Sequence, residues 1–235
     1  MSAGKLYLVP SPLSDNRVDL IINGQVKEII SSLNWFFAEN IRTSRRFISS
    51  LNLGRPIESL HFAELNKDTE DAEVSKLIDI VTSGENAGVI SEAGCPGIAD
   101  PGAKIVALAH KKGVEVIPLV GPSSIFLALM GSGFSGQSFT FHGYLPIDKK
   151  AAQDKIKQME KEVVQFGTTQ IFMETPYRNN QLMEVIINTC QNNSLLCIAS
   201  DITGEMEFIQ TKKISDWKGK HPNLHKIPTV FLLGK

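Results

Sequence analysis

The sequence predicts an α/β protein with two domains, a mostly parallel sheet in the first and a mixed sheet in the second. Three observations carry this. Short apolar runs alternate with segments whose apolar residues recur at helical spacing, the pattern of strands joined by crossover helices. The stretch Gly131–Ser138 is rich in Gly and Ser and breaks that alternation, which sets the domains at 1–134 and 135–235. Near the end, strand-like runs follow one another across a polar loop with no helix between them, which suggests antiparallel neighbours.

The elements follow in order. Lys5–Val9 reads as a strand ending in the stiff loop Pro10-Ser11-Pro12-Leu13-Ser14. Val26, Ile29, Ile30 and Leu33 mark a short amphipathic helix. Trp35–Glu39 is the second strand, and Asn40 opens a helix that Gly54 and Pro56 stop by about Leu53. Ile57–Phe62 reads as a third strand. Glu70–Ser83 is a helix with Val74, Leu77, Ile78 and Val81 on one face, closed at Gly84. The strand Ala87–Ile90 precedes a long loop, and a helix bearing Ile105, Val106, Leu108 and Ala109 follows it. Val114–Val120 suits a buried parallel strand. Gly121-Pro122-Ser123-Ser124 opens another helix. In the second half the strands are Phe139–Leu145, Thr169–Glu174, Leu195–Asp201, Glu207–Trp217 and Ile227–Leu233. The helices there are Lys149–Phe166 and Tyr177–Cys190.

Composition narrows the function classes. A net charge of −1 gives no global attraction to nucleic acid, although a local patch is compatible with it. No apolar run approaches the ~18–20 residues of a membrane span. The N-terminal Met-Ser-Ala-Gly-Lys lacks the apolar core of a signal peptide. Cys95, Cys190 and Cys197 are odd in number and lack metal-ligand spacing, so free thiols in a cytoplasmic protein are expected, and no metal site.

The loop at 91–102, Ser-Glu-Ala-Gly-Cys-Pro-Gly-Ile-Ala-Asp-Pro-Gly, holds three glycines and two prolines. Strand-to-helix loops usually run about 2–6 residues. Its composition fits a stiff turn. It equally fits a cradle in which backbone amides approach a ligand at the carboxyl end of a sheet.

The order of motifs separates these readings. Leu-Val-Pro-Ser-Pro-Leu-Ser, Ala-Glu-Asn-Ile-Arg, the central loop, Gly-Pro-Ser-Ser, Phe-His-Gly-Tyr-Leu-Pro and Met-Glu-Thr-Pro-Tyr-Arg occur in one series from Lys5 to about Gly234. The series resembles the tetrapyrrole methylase superfamily of S-adenosylmethionine (SAM)-dependent methyltransferases. Within it, it is most similar to the branch that methylates a ribose 2′-hydroxyl of small-subunit ribosomal RNA. The resemblance implies a homodimer and two α/β domains with SAM in the cleft between them. It implies cofactor contacts at Leu13, Ala93, Gly94, Cys95, Ile98, Ser123, Ser124, Met173, Glu174, Ile202 and Thr203. There is no Gly-x-Gly-x-x-Gly after the first strand and no Gly-x-x-x-x-Gly-Lys, which sets aside dinucleotide and nucleoside triphosphate folds.

Several positions depart from the branch. Its Glu-Asp-Thr-Arg is here Glu39-Asn40-Ile41-Arg42, so one carboxylate is missing. A ribose hydroxyl is a poor nucleophile, and a positioned base speeds its attack. Glu39 and Glu92 remain candidates for that base, against the plainer reading of exposed or capping carboxylates. Arg42 would hold a phosphate or the acceptor. Cys95 stands where the branch has Thr, and it reads either as a small buried hydrophobe or as a nucleophile. Ala99 stands where the branch has Ser, and Ser14 where it has Gly; Ser14 is strained if that position needs a positive φ. Arg42, Arg45 and Arg46 form one basic run, and Lys149, Lys150, Lys155 and Lys157 a second that is mixed with acids. Each reads as a phosphate-binding rim or as a solvated face. His61 is open to the same two readings, functional or surface. Besides ribosomal RNA, two functions stay in view: methylation of a tetrapyrrole or other small acceptor, and SAM binding without catalysis.

Overall fold

The structure is a computed structural model that describes residues 2–14 and 18–235. Its contacts divide the chain into two compact units, Met1–Ser123 and Ser124–Lys235.

The first unit is built on five parallel strands: β1 (Lys5–Val9), β2 (Trp35–Ala38), β3 (His61–Glu64), β4 (Ala87–Ile90) and β5 (Glu115–Pro118). They lie in the order β3-β2-β4-β1-β5. The helices are α1 (Val18–Ile21), α2 (Gly24–Ser32), α3 (Ile41–Ser50), α4 (Asp71–Thr82) and α5 (Gly102–Lys111). Apolar stripes decide which face each helix covers. Val26 and Ile30 of α2 join Phe47 and Ile48 of α3 around Val9, Phe36 and Ile90 on one face of the sheet. Val74, Leu77, Ile78 and Val81 of α4 join Ile105 and Ala109 of α5 around Leu6, Phe37 and Val89 on the other. Central β4 is buried along its whole length.

Two expectations are corrected here. The segment expected as strand 57–62 opens as a 3₁₀ turn, Ile57–Ser59, and pairing with β2 begins only where His61 meets Trp35. The run 114–120, expected as a buried parallel strand, is parallel to β1 as expected but forms the edge strand β5. Glu115 faces solvent and pairs with Lys5 at 3.0 Å, and Val120 is 73% exposed.

The second unit begins with α6 (Ser124–Ser132). Then come β6 (Phe139–Tyr144), α7 (Lys149–Phe166), β7 (Thr169–Met173), α8 (Asn179–Thr189), β8 (Leu195–Ser200), β9 (Phe208–Lys213), α9 (Ile214–Trp217) and β10 (Thr229–Gly234). The sheet order is β6-β7-β10-β8-β9, parallel between β6 and β7 and antiparallel elsewhere. This is the expected mixed sheet. Asp148 caps α7 by accepting the Ala151 N–H at 2.8 Å, and Gly167 closes it in the left-handed region. Apolar residues of α7, α8 and α9 cover one face of the sheet, and α6 packs against β8, β9 and β10. The strand expected at 207–217 stops at Lys213. Its last residues form α9 because Trp217 turns inward, fully buried, and donates its indole N–H to the Leu196 carbonyl at 3.1 Å.

Among the described residues, no helix is long and apolar enough to cross a membrane.

Candidate active site

All strands of the first sheet run the same way, so the loops after β1, β2, β4 and β5 emerge along one edge. Three of these loops interlock. Ser11 donates its backbone N–H to the Gly94 carbonyl at 2.8 Å and accepts the Gly94 N–H at 3.1 Å. The Ser11 hydroxyl donates to the Ser91 carbonyl at 2.8 Å. Gly94 sits at φ +75, and a Cβ there would lie 3.3 Å from Leu13 Cδ2. At Gly121 a Cβ would fall 2.2 Å from Cβ of Pro10, so only glycine lets these loops touch. The Cys95 thiol donates to the Pro122 carbonyl at 3.3 Å. Leu13, Gly94 and Cys95 are thereby brought together, while Ala93 and the 45%-exposed Ile98 face outward on the central loop. Ser123 is half-buried at the end of the third loop.

Asp100 shapes the rest of the central loop. Its Oδ1 accepts the N–H groups of Gly97 at 2.6 Å and Gly102 at 2.7 Å, closing the turn on itself. Ala99 is held at φ +61 within that turn. Burial pushes the Asp100 carboxyl above its usual range, and the two amides pull it part of the way back. Burial, then the Asp100 charge, pushes the Cys95 thiol up as well. That keeps Cys95 protonated and unreactive, a half-buried hydrogen-bond donor.

At the end of β2, Glu39 and Asn40 both reach across to Glu92. Glu92 donates its backbone N–H to Glu39 Oε2 at 3.2 Å, and Asn40 Nδ2 donates to Glu92 Oε1 at 3.1 Å. Asn40 Oδ1 accepts the Thr43 N–H at 3.2 Å and so caps α3. Asn40 therefore joins the two loops where a second carboxylate would repel Glu92. Burial raises the Glu39 carboxyl above the usual range. The Glu92 amide opposes that, while the Asp100 and Glu92 charges reinforce it. Arg42 is exposed on the first turn of α3.

In the second unit, β7 and β8 each run antiparallel to β10, so both end at the same edge. Val230 pairs with Met173 and Thr229 with Ser200. Met173–Glu174 and the 201–203 loop thus flank the start of β10, roughly 9–10 Å apart at two strand spacings. Glu174 is 7% exposed; it accepts its neighbour Thr175 N–H at 2.8 Å and pairs with Arg178 at 3.1 Å. Asp201 and Thr203 both hold positive φ, +47 and +69. The Asp201 carbonyl accepts the Gly204 N–H, its carboxylate the Met206 N–H, and Glu207 the Thr203 N–H, at 2.7, 2.8 and 2.7 Å. Ile202 is buried, and the buried Thr203 hydroxyl has no hydrogen-bond partner among the described residues. Ser124 opens α6.

Other candidates resolve differently. His61 is exposed and stacks on Trp35 with ring centroids 4.7 Å apart. Lys150 is paired with Asp154 at 2.6 Å. Ser14 is not among the residues with positive φ, so this loop takes a different path from one that needs glycine. Ser11, Asp100 and Arg178 were not singled out from the sequence. The spacing Gly-x-x-Asp-x-Gly is a recognisable signal for an aspartate that ties its own loop.

No protein-family model matches the chain. Curated relatives do. A ribosomal RNA small subunit methyltransferase I from Buchnera aphidicola subsp. Schizaphis graminum is 33% identical over 233 residues, covering 98% of this chain and 78% of the relative. The chain belongs to the ribosomal RNA small subunit methyltransferase I family. It is therefore a methyltransferase. A member from Vibrio cholerae is 29% identical over 231 residues, 97% of this chain and 76% of that one. Among solved structures, the methyltransferase CobJ matches with a TM-score of 0.66 at 17% identity, over 99% of this chain and 95% of its own. The uroporphyrin-III-C-methyltransferase of Thermus thermophilus matches at 0.58 and 15%, over 99% and 92%. At such identities the two structures establish the fold, the α/β architecture expected from the sequence.

Proposed function

We propose that this member of the family transfers a methyl group from S-adenosylmethionine to a ribose 2′-hydroxyl of small-subunit ribosomal RNA. The observation that carries the chemistry is the tied pair Glu39–Glu92 beside the interlocked loops of the first unit. The cofactor residues divide between the units: Leu13, Ala93, Gly94, Cys95, Ile98 and Ser123 from the first; Ser124, Met173, Glu174, Ile202 and Thr203 from the second. The fit to SAM rests on two features. The loops around Gly94 and Gly121 present backbone donors and acceptors without bulky side chains, suited to an amino acid head and an adenine. The Thr203 hydroxyl is buried and unpartnered, on a backbone held at positive φ, and strain of this kind collects at ligand sites.

SAM supplies an electrophilic methyl on a sulfonium. The chain supplies positioning, which accounts for much of the acceleration of such a transfer. Glu39 accepts the hydroxyl proton; burial makes it a stronger base than an exposed carboxylate, and its Oε1 carries no hydrogen bond among the described residues. Glu92, oriented by Asn40, is the alternative acceptor for that proton. Arg42 holds a phosphate next to the acceptor ribose.

The functional domains are read as 1–134 and 135–235, and the protein as a cytoplasmic homodimer. Phe126 and Met130 on α6 are 50% and 78% exposed, and Phe126 meets the 38%-exposed Phe139 edge-on at 6.0 Å. A second copy would cover this patch. Sedimentation at twice the chain mass is expected, and a monomer at every concentration would overturn it.

The test of activity incubates the purified chain with methyl-labelled SAM and small ribosomal subunits from cells lacking the enzyme. Label in ribosomal RNA, recovered as a 2′-O-methylnucleoside, is expected. Unlabelled RNA together with labelled uroporphyrin would move the acceptor to a tetrapyrrole. SAM binding with no turnover on either would mean that catalysis is lost.

A further inference from the structure

We propose that the exposed face of α3, with Phe62 of β3 beneath it, is the surface that grips the RNA phosphate backbone. This rests on the ribosomal RNA reading above. Helix α3 carries Arg42, Arg45 and Arg46 and no acidic residue, and the chain meets none between Glu39 and Glu58. In a chain of net charge −1 this is a concentrated positive patch. Arg45 and Arg46 lie three and four residues beyond Arg42, so each has its Cβ about 5–6 Å from that of Arg42, and together they form a stripe along one side of the helix. None of the three has an ion-pair partner among the described residues. Helix α7 differs: its lysines alternate with Asp154, Glu160 and Glu162, and Lys150 is already paired.

The three arginines are not equivalent. Arg42 and Arg46 are exposed, whereas the Arg45 guanidinium lies over the Phe62 ring, 5.4 Å from its centroid. Phe62 is itself stacked on Phe36 of the core at 5.5 Å. A guanidinium laid on a ring keeps its N–H edge free for a phosphate while its rotamers are already restricted. Arg45 is thus a preorganised donor, flanked by two exposed ones. The stripe starts at Arg42, two residues after the Asn40 cap that donates to Glu92, so a strand gripped along it would lead toward the carboxylates. Phosphate contacts set register and orientation without reading sequence.

The test titrates a fluorescein-labelled stem-loop of small-subunit ribosomal RNA with the full chain over a salt series. SAM affinity is measured on the same proteins by calorimetry. Each phosphate contact removed lowers the slope of log K against log salt by about 0.7–0.9. Arg46→Gln is expected to weaken binding about five- to eightfold at 0.1 M salt, and Arg45→Gln/Arg46→Gln roughly 25- to 60-fold. Phe62→Leu keeps every charge, so it is expected to weaken binding a few-fold at an unchanged slope. SAM affinity should not move. An unchanged slope in the double arginine variant would overturn the proposal, as would a slope that falls instead in Lys155→Gln/Lys157→Gln. Loss of SAM affinity alongside RNA affinity would overturn it too, because the arginines would then be supporting the fold or the donor. Wild-type protein that methylates uroporphyrin and ignores RNA would instead remove the acceptor reading itself.

Discussion

Asn40 gives the sharpest test of how the candidate site is held. Its side chain does two things: Oδ1 caps α3 through Thr43, and Nδ2 donates to Glu92. Asn40→Ala removes both. Loss of the cap costs about 1 kcal/mol, and loss of a half-exposed hydrogen bond to a carboxylate about 0.5–1.5 kcal/mol, or roughly 2 kcal/mol together. Asn40→Asp is different, because aspartate caps as well as asparagine and gains about 0.3–1 kcal/mol from the helix dipole. Against this, a carboxylate would replace a donor 3.1 Å from Glu92 Oε1. Coulomb repulsion at that distance is about 1.3 kcal/mol in a water-like dielectric. With the lost hydrogen bond added and the dipole gain subtracted, the net penalty is about 1.7 kcal/mol. For a chain of this size 1 kcal/mol moves the thermal midpoint by about 2–4 °C. Asn40→Asp should therefore melt about 3–7 °C below wild type at low salt, and Asn40→Ala about 4–8 °C below. In 1 M salt the Asp penalty should shrink, since charge repulsion is screened, and the Ala penalty should persist. Differential scanning fluorimetry in both buffers measures this. An Asp variant as stable as wild type at low salt would refute the amide–carboxylate tie, and with it the reading that Asn40 orients Glu92.

Three further outcomes follow from the same geometry. Glu39 has its folded carboxyl raised by burial above the unfolded value of 4.5, so the folded state holds the proton more tightly and stability falls as pH rises through that window. Glu39→Gln should then melt higher than wild type at pH 7 and alike at pH 4, while methyl transfer drops; a variant less stable at pH 7 would contradict the sign. Arg178→Met leaves the buried Glu174 without its cation. The cost is about 2–3 kcal/mol, below the fully buried case because the arginine is partly exposed, and Glu174→Gln in the same chain should restore much of the midpoint. Ala99→Gly relieves a left-handed φ worth roughly 1 kcal/mol but frees the unfolded chain by a similar amount, so its midpoint should stay near that of wild type. Ala99→Val should melt clearly lower.

Much of the fold was legible because the helices advertise their buried faces. The stripe Val74, Leu77, Ile78 and Val81 fixes α4 without reference to anything else. Where tertiary contacts outweigh local pattern, the reading slipped. The apolar run 114–120 cannot reveal that its strand lies at an edge, which depends on strand order. Lys213–Trp217 looks extended until Trp217 finds the Leu196 carbonyl. The site was legible as motifs, and Glu39 and Glu92, far apart in sequence, do come together. Their coupling was not legible, since it runs through a side-chain amide and a backbone N–H that only the folded loops bring within reach. Asp100 went unnoticed because it binds its own loop.

The contact between Pro10 and Gly121, with the Ser11–Gly94 bridge beside it, has a consequence for how this family can vary. Three loops separated by many residues in sequence meet with no room for a single methyl group. A change in one shifts the others, so substitutions across 10–14, 91–102 and 119–123 should combine non-additively. A tolerated change at Pro10, Ser11, Gly94 or Gly121 is therefore expected to need a matching change in the loop it touches.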